Sequence, residues 1–153
     1  MSSWKIILAL VVLALLVPFL WWTLSPLFID TVVDESLPAE DTATTVGHGT
    51  FVGADAIHKG SGTARIIQTP EGSVLRLEDF EVTNGPDLYV LLTNNETPRS
   101  HDDFGEYVEL APLKGNIGNQ TYQLPDGTDP GMFKSAVIYC KAFSTVFATA
   151  TLN

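Results

Sequence analysis

Nineteen consecutive residues, Ile6 to Leu24, carry no charge (IILALVVLALLVPFLWWTL). As a helix this run spans roughly 28 Å, close to the hydrocarbon thickness of a bilayer. Trp4 stands at one end and Trp21 and Trp22 at the other, where indole rings favour the membrane interface. Pro18 is tolerated in such a span, with a kink. The rival is a cleaved signal peptide. Against it, the run is longer than an ordinary signal core, and no small-x-small cleavage site follows Leu24 closely. No cysteine ends the run, which excludes lipoprotein processing. An uncleaved signal anchor over residues 1–29 is expected, touching membrane lipid through residues 6–24. Lys5 precedes the span, while Asp30, Asp34 and Glu35 follow it. The positive-inside tendency then gives a single-pass protein of the cell membrane with its C-terminal domain extracytoplasmic.

Residues 30–46, DTVVDESLPAEDTATTV, are acidic, Thr-rich and broken by Pro38, and read as an exposed linker. The remainder, residues 47–153, has room for one domain with a single core. The whole chain carries a net charge of −10. The seven basic and eighteen acidic residues after Ile29 leave −11 outside the apolar run. A surface of that sign repels phosphate backbones, so nucleic acid is not an expected partner. One cysteine, Cys140, rules out an intrachain disulfide.

Within residues 47–153, β-branched and aromatic residues alternate with turn signals about every ten residues. Strands are expected near Gly49–Val52, Gly62–Gln68, Ser73–Leu77, Phe80–Thr83, Leu88–Thr93, Tyr107–Leu110, Thr121–Leu124, Ala136–Lys141 and Val146–Leu152. Eight or nine such strands predict an all-β domain, an antiparallel β-sandwich with a barrel-like alternative. In the last hairpin, Ile138, Cys140 and Ala142 share one face. Val146, Ala148, Ala150 and Leu152 make a small apolar face in the final strand, with Phe147, Thr149 and Thr151 opposite. Cys140 is therefore expected on a core-facing strand, with Lys141 pointing away from it.

Cys140 has two readings. Free cysteine is among the most buried residue types, so packing alone accounts for it. A reactive thiol instead needs an electropositive, accessible setting. A lone cysteine restricts the chemistry to sulfenic acid formation, a mixed disulfide, or ligation of a metal or haem. No CxxCH motif occurs, which argues against covalently attached haem. His58, in the turn Ala56–Gly60, is a candidate partner for the thiol or a second ligand, against the simpler role of a turn histidine bonded to backbone. His101-Asp102-Asp103 has metal-compatible residue types but no third ligand in register, and reads as a solvated turn. Asp79 and Asp87 sit near strand ends without a spacing that defines a catalytic pair. Ser61 and Ser144 lack a nucleophile motif. No phosphate loop or dinucleotide fingerprint is present.

Several pieces in order resemble the DM13 domain, often called an electron-transfer domain. They are Gly49-Thr50-Phe51, His58, Gly62, Leu75–Phe80, Asn84-Gly85-Pro86-Asp87-Leu88-Tyr89-Val90, Leu113-Lys114-Gly115-Asn116, Gly118-Asn119-Gln120, Tyr122–Pro125, Val137–Phe143 and Phe147. The resemblance implies a β-sandwich and a redox role for the family cysteine, which matches Cys140, with His58 at another matching position. It implies a redox or electron-transfer accessory module that works with a redox partner protein rather than a stand-alone enzyme. This chain has one copy and no haem-binding companion domain, so that partner is expected in another chain. The competing expectation is a non-catalytic envelope binding module in which Cys140 is only packed.

Overall fold

The structure, a computed structural model, describes residues 3–25, 29–36 and 43–153. Trp22 and Thr23 are described in backbone only. The interfacial role expected of Trp22, and the Pro38 break in the acidic stretch, thus lie outside the described residues. An apolar helix, α1 (Ser3–Leu24), opens the chain with Pro18 inside it. It is long and apolar enough to cross a bilayer, and its described side chains face outward all round.

Eight strands follow: β1 (Thr44–Gly53), β2 (Gly60–Thr69), β3 (Gly72–Val82), β4 (Leu88–Thr93), β5 (Tyr107–Pro112), β6 (Ile117–Gln123), β7 (Ser135–Cys140) and β8 (Thr145–Thr151). All pair antiparallel, in the order β5-β4-β7-β8-β1-β2-β3-β6. β1 joins the two halves. Its Thr44–Thr50 stretch pairs with β2, and Phe51 to Gly53 then pair with Ala150 to Ala148 of β8. The sheet coils on itself around this strand into a nearly barrel-shaped domain. The backbone N–H of Lys114, just past β5, donates to the phenol of Tyr122 on β6 and brings the two edges together.

The interior is one apolar cluster containing Phe51, Leu75, Leu77, Phe80, Val90, Ile138, Cys140 and Phe147. β7 is buried along its whole length because both its faces are covered. Ala136, Ile138 and Cys140 face the interior. Val137 and Tyr139 face a second cluster with Leu91, Val146 and Phe104, the last brought in by the β4–β5 loop. Burying a side chain such as Ile138 is worth about 1.5–3 kcal/mol, so β7 contributes heavily to the fold.

Two bulges separate the observed strands from the expected ones. Ser73–Leu77 and Phe80–Thr83 are one strand, β3, whose register to β6 shifts between Leu77 and Phe80. Asp79 takes up the extra residue at φ 48°, and its N–H donates to Asn119 Oδ1. In the last hairpin Ile138 pairs with Ala148 but Tyr139 with Val146, so Phe147 is the extra residue on β8. A bulge breaks the two-residue alternation. Phe147 therefore joins Ala148, Ala150 and Leu152 in the interior, and Val146 turns to the opposite face. The expected assignment of Val146 and Phe147 is reversed for that reason.

The acidic stretch expected to be an exposed linker is engaged over its first part. Thr31 to Glu35 run parallel along β6 as a short strap, bridging Val32 to Ile117. Backbone bonds join Ile117 N to Thr31 O, Val33 N to Ile117 O and Glu35 N to Asn119 O. The acids are held as well: Asp30 by Asn116 and Asn84, Asp34 by Asn119, and Glu35 by Lys114 Nζ and the N–H of Thr121. A Cβ on Gly115 or Gly118 would collide with the carbonyl of Thr31 or Val33, and Gly118 sits at φ +105°. These two glycines make the docking sterically feasible.

Candidate functional site

Alternation of strand direction sorts the turns into two groups. The β1–β2, β3–β4, β5–β6 and β7–β8 turns share one end of the barrel, and the strap enters there. We call it the proximal end. Cys140 is the last residue of β7 at this end, and His58 lies in the β1–β2 turn. Topology thus collects His58, Asn84–Asp87, Lys114–Asn116 and Cys140 at a single end, which residue spacing did not reveal.

Cys140 is fully buried and is a free thiol. Its cross-strand neighbours are Leu88 of β4 and Thr145 of β8. The next four residues, Lys141 to Ser144, form an exposed turn, so the thiol lies at the boundary between core and solvent-facing loop. Ser144 closes that turn at φ 50°. The N–H of Lys141 donates to the carbonyl of Asp87, which ties the Asn84–Asp87 turn to the end of β7. Lys141 points outward, as expected. Its ammonium bonds Glu109 at 2.8 Å and lies 3.6 Å from the Tyr89 ring centroid. The bond to Glu109 and its charge raise the lysine's pKa.

His58 Nδ1 bonds Asp55 Oδ2 at 2.7 Å, and Asp55 Oδ1 accepts from the N–H groups of Ile57 and His58. These bonds, led by the one from the His58 N–H, hold the Asp55 carboxyl down at about 2. The other contact of the imidazole is the ring of Phe147, with centroids 4.3 Å apart. Phe147 in turn belongs to the core cluster that contains Cys140. No hydrogen bond or ion pair joins the Cys140 and His58 side chains. Sequence inspection passed over Asp55, although its i,i+3 spacing to His58 was visible. It also passed over Phe147 as the imidazole's ring contact, because the bulge that turns it inward leaves no local mark.

Two clefts open at the proximal end. One, about 460 Å³, lies between Asn84–Leu88 and Pro112–Asn116 and is completed by Ser25, Ile29 and Thr31. The other, about 390 Å³, lies between Lys59–Ser61 and Glu81–Asn84, with Asp30 and Asn116. Cys140 lines neither. Among the described residues no three His, Cys, Asp or Glu side chains come together as metal ligands. Among the described residues a thiolate–metal centre at Cys140 thus lacks the companion ligands such ions need, and those residues do not fit one. The other residues weighed from the sequence have structural surroundings. His101 Nε2 bonds the Tyr107 hydroxyl and packs among Phe104, Tyr107 and Tyr139. Asp103 caps its own turn through Ser100. His48 exchanges backbone bonds with Asn153.

The domain is an antiparallel, nearly closed β-barrel with a buried thiol beneath one loop-bearing end and an apolar helix ahead of it. Residues 50–152 match the family described as electron transfer DM13, and the chain belongs to that family. No curated protein and no solved structure matches the chain.

Proposed function

We propose that this protein is a membrane-anchored accessory module for electron transfer, with Cys140 as its redox group and α1 as its uncleaved anchor. Membership of the electron-transfer family is the observation that carries this reading. The position of Cys140 supports it: next to an exposed turn, at the end that also carries His58, Asn84–Asp87 and Lys114–Asn116. Local opening of the Lys141–Ser144 turn together with the adjoining ends of β7 and β8 would expose the interior-facing sulfur without unfolding the barrel, because such segments open at a fraction of the global free energy. A peroxide-class oxidant would then transfer oxygen to the thiolate, giving a sulfenic acid and water or an alcohol. Attack by a partner's thiol would release water and form a mixed disulfide. His58 would position the turn end through Phe147 rather than touch the sulfur. The domain would stand on the extracytoplasmic side and act with a redox partner protein.

A second reading has its own support. Cys140 is fully enclosed and has no hydrogen-bonded partner side chain, which suits a non-catalytic envelope binding module with the thiol packed in the core. Alkylation of the folded protein with a small thiol reagent, across low urea, separates the two. The redox reading expects Cys140 to label faster than global unfolding, at a rate nearly independent of urea. Labelling that tracks the global unfolding rate overturns the thiol mechanism and leaves the binding module.

A further inference from the structure

The proximal end of the barrel is not an ordinary polar loop surface. Among residues 43–153 the three most exposed large apolar side chains are Ile57 at 74%, Val52 at 67% and Phe143 at 65%. All three lie at the proximal end: Val52 at the close of β1, Ile57 in the β1–β2 turn and Phe143 in the β7–β8 turn. Ile29, at the strap's entry, is 55% exposed.

A second observation, independent of exposure, concerns the direction of the strap. Because it runs parallel to β6 from the proximal end, Asp30 and Ile29 enter there, held by Asn84 and Asn116. Five residues separate Ser25, at the end of α1, from Thr31 in the strap. Even fully extended, that interval reaches no more than about 20 Å. The strap therefore brings the proximal end, and not the distal one, close to wherever α1 emerges.

Charge agrees with this placement. The proximal turns hold Lys59, Lys114 and Lys141 against Asp55 and Asp87, with Asp30 at the strap's entry, Glu35 on Lys114 and Glu109 on Lys141 beside them. The distal turns and loops hold Glu71, Glu96, Asp102, Asp103, Glu106, Asp126 and Asp129 against Arg99 and Lys134, and so are net acidic. On a strongly acidic domain, the less acidic end is the one that better tolerates a lipid headgroup layer.

We propose that the proximal end is a membrane-docking face, with Ile57 and Phe143 seated at the headgroup–acyl boundary and the strap fixing that orientation. Apolar side chains beside lysine stems suit that boundary. This inference rests on α1 being a membrane anchor. It implies that the cleft between Asn84–Leu88 and Pro112–Asn116 opens toward the lipid, and that an oxidant or partner reaches the Lys141–Ser144 turn from the membrane side.

The test uses the full chain in phosphatidylcholine vesicles carrying lipids brominated on their acyl chains. Single variants Ile57→Cys, Phe143→Cys and Asp126→Cys are labelled briefly with an environment-sensitive fluorophore, mass analysis checking that buried Cys140 stays unmodified. All three proteins are expected to float with the vesicles. Fluorescence at positions 57 and 143 is expected to be quenched several-fold more than at distal position 126. Flotation with equally weak quenching at all three positions overturns the docking face and leaves the anchor intact. Failure to float overturns the anchor and the docking face together.

Discussion

At Cys140 the sulfur fills a site in the interior cluster that offers no hydrogen-bond partner. Exchanging it for a hydroxyl buries an unsatisfied donor, which costs about 1–3 kcal/mol. Cys140→Ser is therefore expected to lower the urea midpoint more than Cys140→Ala, which leaves a void smaller than a methylene-rich deletion would. Were the two equally destabilising, the sulfur would have a polar neighbour. Asp55 makes a separate prediction. Its folded pKa of about 2 lies below the ordinary 3.8. The stabilisation it gives the β1–β2 turn is therefore complete above pH 3.8 and is lost as pH falls through about 2. A carbon-detected NMR titration of the Asp55 carboxyl should show that midpoint, and His58→Ala should move it upward. The pairing was readable from residue types three positions apart. What the imidazole packs against was not, because Phe147 reaches it only through a bulge.

Among the elements, the strap is the one that local sequence conceals. Pro38 and the run of acids mark residues 30–46 as linker by composition. Yet Asp30, Asp34 and Glu35 are spaced to meet Asn116, Asn119 and Lys114 some 80 positions later, and only the folded sheet brings them together. The repeated Gly-Asn of Gly115-Asn116 and Gly118-Asn119 was legible as a motif, but its purpose was not. Gly118→Ala places a Cβ against the Val33 carbonyl at a backbone angle that L side chains rarely adopt. We expect it to cost about 1–3 kcal/mol and to raise hydrogen exchange at Val33 and Glu35 more than at β7. Acid should act in the same direction. Lys114 holds the Glu35 pKa below 4.5, so that contribution is present above the ordinary value and fades as pH falls beneath it. Strands with clear turn punctuation were read closely: β4 matches its expected limits, and β7 differs by one residue at each end. The two bulges were missed because a single extra residue has no compositional signature.

For the whole molecule, alternation and turn spacing gave the all-β class. The barrel-like form was one of the two expected, but how the sheet closes could not be seen, because it depends on β1 serving both halves. Phe51 pairs with Ala150, almost a hundred positions away, while Thr44 pairs with Gln68. The half that contains β7 is not complete, and the two halves are not joined, until β8 is made. Such non-local pairing puts refolding in the milliseconds-to-seconds range rather than microseconds. Stopped-flow fluorescence should find it there, with Gly118→Ala, a peripheral change, mainly speeding unfolding. The convergence of the candidate residues follows from the same topology. Strand direction, summed over eight antiparallel segments, puts every second turn on one side, a property of the assembled sheet and of no segment within it.

The strap also determines how the domain resists being pulled. Because Thr31 to Glu35 point away from the end where they enter, tension applied at Asp30 loads their bonds to β6 lengthwise and together, in shear. An antiparallel strap attached at the same place would peel one rung at a time. Traction on this chain is therefore borne by the β6 edge as a unit, and the barrel stays close to the point where force is applied until that whole seam gives way.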